Sequence, residues 1–232
     1  VIQLEKVTKK YLRHKAVNQC TATLEAGKII GLIGENGSGK TTILKLLAGL
    51  LRPTNGRVLI DSKQVNRSIS DRLAYLTDMD YFYPYFTIKE LIDFYHSQFK
   101  DFDKKKAMDM AAFMKLNVKQ KIRYLSKGNL SRVKIAVTLS RNVPYIVLDE
   151  PFSGLDPLVR KSIINGIIKF MNLESQTLIV TTHELREVEP ILDEVLLLKD
   201  GRIIAQKSVD QIRDDYRMDV VDWMEQVYET TK

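Results

Sequence analysis

This sequence of 232 residues has little that could cross-link it or carry it through a membrane. It holds one cysteine, Cys20, so an internal disulfide framework is excluded and a reducing compartment is expected. No apolar run approaches the roughly 18–20 residues of a membrane-spanning helix, and no signal-peptide pattern opens the sequence. Low-complexity tracts and internal repeats are absent, which excludes repeat architectures. Strong single-sign charge is also missing. The net charge of +7 comes from 36 basic and 29 acidic residues that are interspersed along the chain. The one tight basic run, Lys104-Lys105-Lys106, reads better as a solvated helix face than as a nucleic-acid or lipid patch. With 44% hydrophobic residues, composition bounds the chain to a soluble, intracellular globular protein and says no more.

What is present is concentrated chemistry. The apolar run Ile29 to Ile33 reads as a buried strand. It feeds Gly34-Glu35-Asn36-Gly37-Ser38-Gly39-Lys40-Thr41-Thr42, and a helical pattern (Ile43, Leu44, Leu46, Leu47) follows. This turn is a phosphate-binding loop, G-x-x-x-x-G-K-[ST]. Its glycines let backbone N–H groups converge on phosphate oxygens, and the helix beyond adds its positive end. Lys40 can reach the β- and γ-phosphates, and the Thr41 hydroxyl can ligate Mg²⁺. The motif implies that a nucleoside triphosphate binds here.

Further strands are expected at 2–8, 20–24, 57–60, 73–76, 145–148, 177–180, 194–198 and 202–204. Helices are expected after the capping box Thr87-Ile88-Lys89-Glu90, over 104–115, over 130–141 and after Pro157, with a terminal helical region opened by Ser208. Apolar strands alternating with helices predict an α/β fold whose mostly parallel sheet is covered on both faces. The expected organisation is a P-loop core at 1–77 and 142–207 with an antiparallel N-terminal part, a helical insertion at 78–141 and a helical tail at 208–232.

The strand Tyr145-Ile146-Val147-Leu148 ends in Asp149-Glu150. Beside a phosphate loop, Asp149 can hold Mg²⁺ through its water shell, and Glu150 can orient a water and accept its proton. Leu125-Ser126-Lys127-Gly128-Asn129 precedes this pair, Ser153-Gly154-Leu155-Asp156-Pro157 follows it, and Thr181-Thr182-His183-Glu184 ends the next strand. Together with Tyr11 upstream of the loop, these six motifs resemble those of the ATP-binding-cassette (ABC) ATPases, from Val7 to about Gln206. A zinc reading of His183-Glu184 fails, because position 187 is Glu and not a second His.

The resemblance implies a head-to-tail dimer with two composite sites for ATP and Mg²⁺. Tyr11 would stack on adenine. Gly34, Asn36, Gly37, Ser38, Gly39, Lys40, Thr41 and Thr42 would hold phosphates and Mg²⁺. His183 would contact the γ-phosphate and hold Glu150 in line. Ser126 and Gly128 would reach the γ-phosphate bound by the partner, and Asp156 would cross the interface or cap the helix opened by Pro157. The implied partners are a second ATPase protomer, identical or different, and a separate membrane permease, with no nucleic acid. The implied place is the cytoplasmic face of the membrane. The chain looks similar to compact ATPases of bacterial exporters, without an added C-terminal regulatory domain, so export is expected. A soluble ABC ATPase acting on nucleic acid or the ribosome and a binding-only nucleotide switch are the rival readings.

Two positions depart from the family pattern. Asp78 stands where the family has a Gln that meets Mg²⁺, and it can still ligate the metal. Lys127 replaces a Gly of the signature loop, either adding a cation near the partner's phosphates or pointing to solvent. Tyr81-Phe82-Tyr83-Pro84-Tyr85-Phe86 holds five aromatic residues, which either anchor a docking surface for the permease or pack inside the helical insertion.

Overall fold

Residues 29–33, 145–148 and 177–181 are buried along their whole length, as parallel strands covered on both faces must be. The computed structural model describes residues 1–77, 79 and 82–231. Along the chain the strands are β1 (Ile2–Tyr11), β2 (His14–Leu24), β3 (Ile29–Gly34), β4 (Asn55–Ile60), β5 (Lys63–Gln64), β6 (Leu73–Leu76), β7 (Tyr145–Leu148), β8 (Thr177–Thr181), β9 (Glu194–Lys199) and β10 (Arg202–Ser208). The helices are α1 (Lys40–Leu47), α2 (Ile88–Gln98), α3 (Lys104–Phe113), α4 (Lys127–Leu139), α5 (Pro157–Phe170), α6 (Leu185–Val188), α7 (Val209–Tyr216) and α8 (Val220–Thr230).

The six-stranded sheet runs β10-β9-β3-β8-β7-β6, parallel throughout except for β10. A four-stranded antiparallel sheet runs β2-β1-β4-β5. Alternation along the central strands sends side chains into two apolar clusters. Ile29, Ile33, Ile146, Leu148, Leu178 and Val180 join α2 to α5 on one face. Ile30, Leu32, Val147, Ile179 and Leu196 join α1 and the antiparallel sheet on the other. The α/β expectation holds.

Three elements differ from the sequence reading. The first hairpin is longer than expected, because the polar residues His14 and Lys15 still pair through their backbone with Tyr11 and Lys10 of β1. Helix α4 starts at Lys127, not at Leu130. Ser126 is its N-cap, and its hydroxyl accepts the Asn129 N–H at 3.3 Å, so the signature loop is itself the first turn of the helix. The terminal region breaks into α7 and α8 at Arg217, whose φ of 55° is left-handed, and Asp219 caps α8.

Asp156 caps α5. Its carboxylate accepts the Val159 N–H at 3.0 Å, with Pro157 at the first helical position. Asp156→Ala is expected to lower the urea-unfolding free energy by about 1 kcal/mol, the usual worth of such a cap. Asp156→Asn, which keeps an acceptor, should match wild type; equal stability of all three would show that the cap contributes nothing.

Candidate active site

Three adjacent strands, β3, β8 and β7, deliver their C-terminal ends to one edge of the sheet, where α/β folds place their ligand chemistry. The phosphate loop leaves β3. At Gly39, the N-cap of α1, φ is 106° and a Cβ would collide with the carbonyl oxygen of Ala16, so only glycine fits. The Ser38 carbonyl accepts the Gly201 N–H at 3.0 Å, which pins the loop to the turn after β9. No side chain caps α1 and its first turn holds no acid, so its positive end is left to face the cleft. Lys40 is buried and folds back, its Nζ donating to the carbonyls of Gly34 (2.7 Å) and Glu35 (3.1 Å). Burial pulls its pKa down, against the opposing pull of Glu150 and Asp149.

Asp149 is 1% exposed, and three hydroxyls satisfy it. Thr41 (3.1 Å) and Thr181 (3.0 Å) donate to Oδ1, and Tyr75 (3.0 Å) donates to Oδ2. Thr181 also accepts the Glu150 N–H at 2.8 Å, so β8 ties both carboxylate residues into place. Glu150 adopts a left-handed φ of 49°, a conformation that costs a residue with a side chain about 1–3 kcal/mol and that clusters at functional sites. His183 Nε2 stands 3.0 Å from Glu150 Oε1 without the alignment of a hydrogen bond, and that buried oxygen has no other partner. Burial raises the Glu150 pKa above the ordinary carboxylate range, with His183 and Lys40 acting against the rise.

A cleft of about 430 Å³ collects most of the expected residues: Tyr11, Asn36, Gly37, Gly39, Lys40, Thr41, Thr42, Glu150 and His183. Gly34 and Ser38 do not line it: the Gly34 carbonyl accepts Lys40 Nζ at 2.7 Å, and Ser38 is buried behind the loop. Tyr11 ends β1 and is 43% exposed, as a stacking platform needs to be. His14 and Ala16 also line the cleft, and Thr181 and Tyr75 fix Asp149. None of these four stands out in the sequence, because each acts only through the pairing of its strand.

Ser126, Gly128 and Asp156 do not line this cleft. Ser126 and Gly128 open α4, and Asp156 opens α5. Asp78 lies outside the described residues. Lys127 is exposed, as one of its two expected directions requires. Its ammonium folds onto the chain's own Gly154, where a side chain would collide with it. There it lines a second cleft, of about 280 Å³, together with Asp149, Glu150, Pro151 and Ser153.

The residues fit a polyphosphate with Mg²⁺. The Ser38 hydroxyl is buried with no hydrogen-bond partner, and Gly37 faces open space. A lysine, two threonine hydroxyls and the N-terminal end of a helix form an anion-binding donor set. Among the described residues no three His, Cys, Asp or Glu side chains are grouped to enclose a metal. One carboxylate and one hydroxyl, completed by phosphates and waters, is the kind of ligand set Mg²⁺ takes.

The sequence pattern of the ABC transporter family matches residues 17–153. An uncharacterized ABC transporter ATP-binding protein of Nostoc sp. is 35% identical over 201 residues, covering 83% of this chain and 60% of that protein. The ribose import ATP-binding protein RbsA of Caldanaerobacter subterraneus is 30% identical over 230 residues, covering 93% of this chain and 46% of that protein. The chain therefore spans less than two thirds of the length of both relatives. A solved ATP binding subunit of an ABC transporter superposes with a TM-score of 0.85 over 98% of this chain and 99% of that one. At 20% identity that likeness carries the fold alone. The chain belongs to the ABC transporter family, as an ATP-binding cassette.

Proposed function

We propose that this chain binds and hydrolyses ATP with Mg²⁺, closes with a second cassette into a head-to-tail dimer, and so drives a separate membrane permease at the cytoplasmic face of the membrane. One observation carries the reading. A strained, half-buried Glu150 with a raised pKa shares a cleft with Lys40, Thr41 and His183. The phosphate loop and Lys40 hold the phosphates, and Tyr11 holds the base. Thr41 and Asp149, with Asp78, hold the metal, which when bound neutralises charge on the phosphate oxygens. Glu150 takes the proton of the attacking water, and His183 keeps that carboxylate and the water aligned. Ser126, Gly128 and Asp156 serve the partner's site, a reading supported by their absence from the lining of this chain's own cleft. Export is the proposed direction, resting on the likeness to compact exporter ATPases; the motor chemistry is the same for either direction.

The aromatic run supports a docking surface only in part. Phe82 and Phe86 pack against the core, whereas Tyr83 and Tyr85 are 49% and 64% exposed. Tyr81 lies outside the described residues. We assign Tyr83 and Tyr85 to the permease contact.

Glu150→Gln is expected to keep ATP binding and to cut turnover about a hundredfold or more, the usual worth of a general base. Light scattering with Mg-ATP should then show twice the monomer mass. ATP binding by a protein that stays monomeric would overturn the homodimer. In wild type, Glu150 must be ionised to act, so activity is full above its pKa and falls as the pH drops through it. Because burial raises that pKa, the acid limb of kcat should lie above the ~4.3 of a free glutamate. A limb at the unperturbed value would refute the assignment. Joint substitution of Tyr83 and Tyr85 by Ala should abolish permease co-purification and leave basal ATPase unchanged; an unfolded variant would instead place both rings in the core.

A further inference from the structure

Helix α8 docks on the segment that follows His183 and on the root of the phosphate loop, and nothing in the catalytic assignment uses it. At its start Val220 and Trp223 are buried, and the Val220 N–H donates to Glu189 Oε2 at 3.1 Å. Helix α8 also packs on α6, the short helix that follows His183. Near its end, the Tyr228 hydroxyl donates to the Leu198 carbonyl at 2.8 Å and accepts the Glu35 N–H at 3.2 Å. Lys199 Nζ closes the helix by donating to the carbonyls of Tyr228 (3.3 Å) and Thr231 (2.7 Å).

Both hydrogen bonds of the Tyr228 hydroxyl lead to the phosphate loop. Glu35 is the residue after Gly34, and its own carbonyl accepts Lys40 Nζ at 3.1 Å. Leu198 pairs with Gly34 across β9 and β3, and a Cβ on Gly34 would collide with the same Leu198 carbonyl that receives the phenol. The Tyr228 hydroxyl thus stands beside the root of the loop and holds the Gly34–Glu35 peptide, whose own carbonyl, that of Gly34, accepts Lys40 Nζ at 2.7 Å. Burial raises the pKa of the phenol, so it stays protonated and can donate and accept at once.

We infer that Tyr228 is a positioning residue of the phosphate loop: its hydroxyl sets the orientation of Glu35 and, through it, of Lys40. The inference rests on the reading that this loop binds ATP. Removing the hydroxyl leaves the Glu35 N–H to water and lets the first turn of the loop sample other orientations. The cost falls on nucleotide binding, because the groups that meet the water and the γ-phosphate, Glu150 and His183, are held by β7 and β8 instead.

The test compares the full chain, Tyr228→Phe and Met224→Ala, which trims a residue packed on the core from the same helix. Mg-ATP and Mg-ADP affinities are measured by calorimetry, KM and kcat by phosphate release, and unfolding temperature without nucleotide. Tyr228→Phe should raise Kd and KM about threefold to tenfold, the range one hydrogen bond of ordinary net strength gives, with kcat and unfolding temperature near wild type. Met224→Ala should lower the unfolding temperature and leave KM alone. If Tyr228→Phe leaves Kd and KM unchanged while wild type binds ATP, the inference falls alone. It also falls if Met224→Ala raises KM as much, since general loosening of the helix would then be the cause. Failure of wild type to bind ATP would remove the ATP reading and this inference together.

Discussion

A carboxylate with 1% exposure has lost its water and needs donors from the protein, and the side chain of Asp149 takes its hydrogen bonds from hydroxyls. Thr41 comes from the first turn of α1, Thr181 from the end of β8 and Tyr75 from the edge strand β6. A single side chain therefore gathers the phosphate-loop helix and two strands around the end of β7. The rest of the site depends on that knot. Thr181 passes the constraint on to the Glu150 backbone, and the same Thr41 hydroxyl that satisfies Asp149 lies in the cleft. Hydroxyl partners suit the position better than a cation would, because they stabilise the charge and leave it available to a metal.

Two neighbouring carboxylates are thereby given different chemistry by their surroundings, as acid–base sites commonly arrange. Asp149 is saturated with donors. Glu150 is held by its backbone while its Oε1 is buried and lacks an aligned donor. Desolvation, only partly opposed by nearby cations and donors, raises the Glu150 pKa and makes the carboxylate a better proton acceptor. The left-handed φ of Glu150 costs energy that the Thr181 bond and the buried Phe152 beyond it must offset, and it aims the carboxylate into both clefts at once.

The features legible in the sequence are those whose signal is local. The phosphate loop, the apolar run before Asp149, the capping box at Thr87 and the cap at Asp156 carry residue types at fixed offsets, and each lies where its pattern predicts. The features that were not legible are defined by pairing across the chain. His14 and Ala16 enter the cleft because a polar strand is hydrogen-bonded to β1. Tyr228 lies 193 residues from the amide it accepts, and no spacing rule connects them. The first three residues of α4, Lys127, Gly128 and Asn129, have no apolar periodicity, so only the Ser126 cap marks its start.

Lys127 shows how a departure from the family pattern is absorbed. A long cation in place of glycine at the first turn of α4 sits at the positive end of a helix, an unfavourable place for it. Its ammonium turns onto Gly154, which has no side chain to displace. There Lys127 lines the same cleft as Asp149 and Glu150, so a basic residue stands on the wall where the two carboxylates open.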